Sequence, residues 1–265
     1  MVSPILSLLL LLFLLLISSS AGFNQSSIGI WPIPQTFMWP HHQSILLNKS
    51  FTISSPKNKY LTPAVNRFRH LILTDNYRPL IRPSFDPNLA LSLKTLTITI
   101  SDLQAPLHHD VNESYTLTIP ATGAPASITA ATVWGAMWGL ETFSQLVWGK
   151  LTQVAAGVFV SDAPSFGHRG LLLDTSRNFY EVGDILRTIA AMSWNKMNVF
   201  HWHITDSQSF PIVVPLEPEL AAKGSYGEGM QYTVEDVKRV VEFGLEHGVR
   251  VLPEIDMPGE LERSL

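Results

Sequence analysis

This 265-residue chain contains no cysteine. That excludes disulfides, thiol nucleophiles, thiolate-bound zinc and covalent haem attachment. Charge is scarce: Asp, Glu, Lys and Arg make up 15% of the residues, and the formal net charge is −4. With no basic stripe, the electrostatic footprint of nucleic-acid binding is missing, so nucleic acid is not an expected partner. No internal repeat occurs. Long apolar runs are absent except for Ile5–Ile17. That run falls short of the about 20 apolar residues a membrane span needs.

What is present begins with that run. Ile5–Ile17 is Leu-rich and ends in Ser18-Ser19-Ser20-Ala21-Gly22. An apolar core followed by small residues has the form of a secretory signal peptide, with cleavage expected near Ala21 or Gly22. Residues 1–22 are therefore read as a signal, with no membrane attachment after cleavage. The destination is the secretory pathway: the cell exterior or wall, or a vacuole- or lysosome-like compartment. Three sequons agree, at Asn24, Asn48 and Asn112, each followed two residues later by Ser.

The first half is irregular. Thr62-Pro63 opens a helix, with Thr62 as N-cap and Val65, Phe68, Leu71 and Ile72 at helical spacing. Leu91–Ser101, Tyr115–Ile119 and Leu151–Val160 have strand composition. Ala130–Val147 reads as an amphipathic helix with Trp134, Trp138, Leu140 and Phe143 on its apolar side; such a stripe is far more often core than a ligand platform. Mixed elements without regular alternation indicate an α+β domain over residues 29–163. Asp162-Ala163-Pro164-Ser165 is the joint.

Beyond the joint, over 167–265, strand and helix alternate. Three apolar runs turn polar at their C-terminal edges: His168–Asn178, Asn198–Asp206 and Val249–Met257. Helical patterns lie between them at Tyr180–Ser193 and Tyr232–Gly248. The second has Thr233 as N-cap, acid in its first turn and Gly248 as terminator. This rhythm gives a parallel sheet, either doubly wound or a (β/α)8 barrel.

In such folds the working groups sit at the C-terminal ends of strands. The first strand delivers Asp174 and Arg177, the second His201, His203 and Asp206, the third Glu254 and Asp256. Alternation puts both histidines on one face and Trp202 on the other. Carboxylates and a forked guanidinium suit a hydroxyl-rich substrate. Two other readings compete. His201 and His203 with Asp206 or Asp256 could ligate a divalent ion, as in a metallohydrolase, or both imidazoles could fill a satisfied core network.

Longer motifs carry a resemblance. Gly167–Tyr180, Asn195–Pro211, Lys223–Tyr226 and Val251–Gly259, with upstream Trp134–Leu146, are similar to successive segments of β-N-acetylhexosaminidases of glycoside hydrolase family 20, in wording nearest the plant-type members. The resemblance implies a zincin-like α+β domain that binds no metal, followed by the first three of eight barrel strands. It implies action on terminal N-acetylglucosamine or N-acetylgalactosamine residues of glycans, without a cofactor. Arg177, Asp206, His203 and Asp256 take sugar-binding positions, with Asp174, His201 and Glu254 in support. In the family the substrate's 2-acetamido oxygen attacks the anomeric carbon, one carboxylate orients that amide and an adjacent Glu is the general acid/base. This departs from the usual two-carboxylate scheme. The sequence contains no adjacent Asp-Glu pair; Glu235-Asp236 has the reverse order at a helix start. After Gly259, where the family has His, this chain has Glu260, and the likeness ends. The expectation is a truncated chain that is catalytically inactive, the alternative being a non-catalytic sugar-binding or interaction protein. Dimerisation is expected only of full-length relatives. A barrel needs about 250 residues, so these strands would leave apolar edges open and favour aggregation.

Overall fold

The computed structural model describes residues 29–75, 88–149 and 152–256. Residues 1–22, read above as a signal, together with Asn24 and the departure at Glu260, lie outside the described residues. So do Met257, Pro258 and Gly259.

Among the described residues, two sheets account for the strands. The first has eight, in the order β1-β8-β4-β5-β3-β2-β7-β6. They are β1 (Thr36–Met38), β2 (Gln43–Ser54), β3 (Asn88–Asp102), β4 (Tyr115–Ile119), β5 (Ala126–Thr132), β6 (Val147–Trp148), β7 (Gln153–Ala156) and β8 (Val158–Asp162). The β2–β3 and β3–β5 pairs are parallel and the other pairs antiparallel, so the sheet is mixed. Helices α1 (Leu61–Thr74) and α2 (Val133–Gln145) pack with it.

The helix starts and strand limits differ from the sequence reading in informative ways. Thr62 is not the N-cap of α1. The helix begins at Leu61, and Asn58 Oδ1 takes the Tyr60 and Leu61 N–H groups at 2.8 and 3.1 Å. An Asn four residues upstream therefore meets the orphan donors first, and Thr62 falls inside the first turn. The helix expected from Ala130 starts at Val133, because β5 extends through Thr132. Extended Thr132 then caps α2, its hydroxyl accepting from Gly135 N–H. Nor is α2 amphipathic: Val133 to Phe143 is buried without exception. A Cβ on Gly135 would come within 2.6 Å of the Ser114 carbonyl oxygen, so the glycine permits the close approach. Leu151–Val160 is not one strand: Gly157, at φ +70°, breaks it into β7 and β8. Strand β2 escaped sequence detection because Asn48-Lys49-Ser50 interrupts its alternation at a register shift between Leu47 and Thr52.

The second sheet is parallel, in the order β11-β10-β9, with β9 at Gly170–Asp174, β10 at Val199–Thr205 and β11 at Arg250–Ile255. Helix α3 (Val182–Trp194) connects β9 to β10. Between β10 and β11 run the short α4 (Pro218–Gly224), which periodicity did not reveal, and α5 (Val234–Glu246). Thr233 and Asp236 form a full capping box at the start of α5, and Gly248 at φ +70° follows its end, as expected. Ile185, Ile189, Val240 and Val249 close over Phe200, Trp202 and Ile204, giving β10 a buried outer face. The flanking strands are barer. Leu171 and Leu172 on β9, with Leu252 and Ile255 on β11, are exposed, and among the described residues β9 and β11 each have only β10 as neighbour. Among the described residues no helix is long and apolar enough to cross a membrane.

Candidate active site

Parallel register decides the site. His203 stands opposite Asp174 on one side and Glu254 on the other. Three polar side chains from three strands thus share one row, at the C-terminal edge. Trp202, between the histidines, points the other way: it is fully buried, and its indole N–H donates to Thr175 Oγ1 at 2.9 Å.

Arg177 lies just past β9. Its Nη1 is 2.5 Å from Asp174 Oδ2, its Nη2 2.5 Å from Asp206 Oδ2, and its Nε donates to Gln208 Oε1 at 3.1 Å. Asp174 Oδ1 also accepts the N–H groups of Ser176 and Arg177, each at 3.0 Å, which folds the loop back on the strand end. The following loop is locked to the one after β10 by two buried serines. Ser176 Oγ donates to the Ser209 carbonyl and Ser209 Oγ to the Ser176 carbonyl, both at 2.8 Å. Asp206 and Ser209 exchange backbone hydrogen bonds, so Asp206 is held in a tight turn.

From Asp206 the network continues inward. His203 Nε2 is 3.4 Å from Asp206 Oδ2, and its Nδ1 is 2.9 Å from Glu254 Oε2. The same Glu254 oxygen is 2.6 Å from His201 Nε2, and Asp256 Oδ2 lies 3.9 Å from His203 Nδ1. All seven residues singled out in the sequence therefore meet in one network. The His203 side chain is only 9% exposed, whereas Arg177 is 48% exposed, so the network runs from a buried imidazole to an accessible guanidinium.

The electrostatics follow from these contacts. Burial would lower the His203 pKa, but bonds to Glu254 and Asp206 and the charge of Asp174 leave it above the ordinary histidine value. The bond from His203 and that from His201 hold Glu254 below its ordinary value. Burial works to raise Asp206 and Asp174. Ser207 and Arg177 outweigh it at Asp206, and Arg177's backbone and guanidinium do so at Asp174; both stay low. The set is a group of carboxylates with lowered pKa values, bridged by the Arg177 guanidinium and the His203 imidazole.

This bears on the metal alternative. One ligand atom each from His203, Glu254 and Asp256 lie within 4.8 Å of one another. That grouping differs from the expected one, since Asp206 bonds Arg177 and Glu254 takes both imidazoles. A metal needs a neutral imidazole with a free lone pair. Both His203 nitrogens face carboxylate oxygens, and these contacts raise its pKa, which favours a proton over a metal ion there.

Sequence reasoning missed two members. Gln208 fixes Arg177 Nε, and the half-exposed Tyr226 donates its hydroxyl to the Arg177 carbonyl at 3.3 Å. Both lie inside motifs noted above, but nothing in their spacing pointed to Arg177. Only folding of the loops after β10 brings them there.

The chain is similar to known proteins over most of its length. The glycosyl hydrolase family 20 catalytic domain matches residues 166–264, and the "beta-acetyl hexosaminidase like" domain matches residues 30–146. The chain belongs to glycosyl hydrolase family 20. Over 248 residues this family-20 chain is 39% identical to the beta-hexosaminidase subunit alpha of Mus musculus, which takes in 87% of the chain and 45% of the relative. To the beta-hexosaminidase subunit beta of Felis catus it is 37% identical over 249 residues, covering 88% of the chain and 45% of the relative. It thus spans less than half the length of these relatives. Among solved structures, the Flavobacterium johnsoniae chitobiase superposes with a TM-score of 0.72 at 29% identity, over 87% of this chain and 35% of the other.

Proposed function

We propose that this chain forms the sugar-gripping part of a β-N-acetylhexosaminidase, a glycosidase acting on terminal non-reducing N-acetylhexosamine residues of glycans. The reading rests on one observation above all: the unbroken network from exposed Arg177 through Asp206 and His203 to Glu254. A guanidinium carries parallel N–H donors, and flanking carboxylates accept from hydroxyls, so the rim matches vicinal sugar hydroxyls. We assign Arg177 and Asp206 to the outer hydroxyls. His203 and Asp256 order the inner side, with Asp174, His201 and Glu254 in support. Residues 29–163 are read as the zincin-like domain, and β9, β10 and β11, within 167–265, as the first three strands of an eight-stranded barrel.

Substrate-assisted retention needs a carboxylate to orient the acetamide and a neighbouring Glu to protonate the leaving oxygen. No adjacent Asp-Glu pair exists in these 265 residues. They are therefore expected to bind N-acetylglucosamine at millimolar concentration without hydrolysing its glycosides. Calorimetric titration checks the first part and release of a chromogenic aglycone the second. Turnover by the pure 265-residue chain would overturn the assignment of catalysis to residues outside it, and absence of any heat at tens of millimolar sugar would overturn the site.

The proposed secretory route carries its own prediction. Asn112 is exposed, its Oδ1 accepting from Ser114 N–H at 3.0 Å. Asn48 is half-buried, with its amide nitrogen 3.3 Å from Ser92 Oγ. Glycan is expected at Asn112 and at low occupancy or not at all at Asn48. Intact-mass and peptide mapping of secreted protein checks this, and full occupancy at Asn48 would contradict it.

A further inference from the structure

The two sheets meet at a seam on the end of the parallel strands opposite the rim. Two buried charges cross it in opposite directions. Glu113, 3% exposed and just before β4, reaches the strand starts of the parallel sheet. Its carboxylate pairs with the Arg169 guanidinium and accepts Asn198 Nδ2 at 2.7 Å and Trp138 Nε1 at 2.5 Å. Lys196, 7% exposed and preceding β10, reaches the other way. Its ammonium donates to Tyr115 Oη and Thr142 Oγ1, both at 2.8 Å, and to Asp162 Oδ2 at 3.1 Å.

The groups Glu113 holds set strand register. Asn198 Oδ1 accepts Arg169 N–H at 2.9 Å, Asn198 N–H donates to the Arg169 carbonyl at 2.9 Å, and Arg250 N–H donates to the Asn198 carbonyl at 2.9 Å. Arg169 and Asn198 are thus the bottom row of the sheet, and Arg250 is tied to that row from one residue up. Four residues up from the next row, Val199 beside Gly170 and Arg250, stands the row Asp174, His203, Glu254. A slip of one residue would send these side chains to the opposite face, and a slip of two would break the row. The exposed Leu171 and Leu172 give β9 little packing of its own to resist a slip.

We infer that Glu113, contributed by the mixed-sheet half of the chain, is a positioning residue that fixes the register of β9 against β10 and so aligns the polar row at the far end. Lys196 is the second anchor, holding the turn before β10. The mixed sheet is then part of the site's machinery, not a passive neighbour. The inference uses the amino-sugar reading only for its binding readout.

The test is Glu113→Gln in the whole chain. It keeps the size of the side chain but removes the charge facing Arg169. Lys196→Met is a parallel variant. Protein is kept at low-micromolar concentration, where association through open strand edges is disfavoured by mass action. In the variant that remains folded by circular dichroism, the His203 ring is expected to titrate closer to the ordinary histidine value. Amide exchange in β9 should accelerate at least tenfold relative to α2, with N-acetylglucosamine affinity falling about tenfold. If Glu113→Gln lowers global stability but leaves the His203 titration and the β9 exchange ratio as in the parent, Glu113 is only a structural buried charge and the inference fails. If neither variant folds, exchange in the parent decides: β9 amides opening independently of the Glu113 environment would overturn it. Loss of sugar binding in the parent with an intact His203 signature would sink the sugar reading and leave the register inference standing.

Discussion

Glu141→Gln is expected to stabilise the protein at pH 8 and to change it little at pH 4. Glu141 lies in α2 and is 6% exposed. Its Oε1 accepts Gln145 Nε2 at 2.9 Å, and its Oε2 has no hydrogen-bond partner among the described residues. Burial pushes its carboxyl up from an ordinary 4.5 to about 7, although the Gln145 bond and the charges of Lys196 and Arg67 pull the other way. A carboxyl raised by folding prefers to be neutral in the folded state. Stability is therefore fully present below about 4.5 and is lost as pH rises through about 7. The stake is on the order of 3 kcal/mol, or roughly 5–10 °C in melting temperature for a chain of this size. His203, with its pKa also raised, slopes in the same direction. Buried His247, lowered to about 4, slopes in the opposite one, losing stability as pH falls through the acid range. Subtracting the variant's melting curve from the parent's isolates Glu141. A difference that stays flat from pH 4 to pH 8 would show that the buried carboxyl finds another partner.

Arg177→Ala carries the second large effect. It removes the donor that joins Asp174, Asp206 and Gln208, and takes from both carboxylates the guanidinium that helps to hold their pKa values low. N-acetylglucosamine binding is expected to weaken at least about tenfold, since charge-assisted, bidentate hydrogen bonds are the strong ones. Arg177→Lys is expected to recover little of it, because a point-charge ammonium cannot make the forked contacts. The half-exposed position of Arg177 means that melting temperature should hardly move. Binding by the Ala variant as tight as the parent's would place the sugar elsewhere. A large drop in stability with affinity preserved would make Arg177 a structural tie between loops.

The sequence alone carried the parallel half of the protein well. Apolar runs ending in Asp174, Asp206 and Asp256, helical periodicity between them, and Thr233 with Asp236 at a helix start are local signals, and local signals survive in one dimension. They named all seven rim residues. The mixed half was read poorly because its decisive facts are not local. Strand β2 is interrupted at Asn48-Lys49-Ser50 and takes its place from β3 and β7 on either side. Helix α2 has no polar face because it is covered all round, so a periodicity expectation could not fit it.

Composition and pattern by themselves determined the chemistry available: no thiol, little charge, and carboxylates, imidazoles and one guanidinium at strand ends. Only the tertiary structure decided how those groups pair, that Glu254 takes both histidines and that Gln208 and Tyr226 steady Arg177. It also placed Glu113 and Lys196, far apart along the chain, on opposite sides of one seam. The physical reason is that a hydrogen-bond partner depends on register and on desolvation. Both are properties of strands already packed against each other, and no spacing along a chain records them.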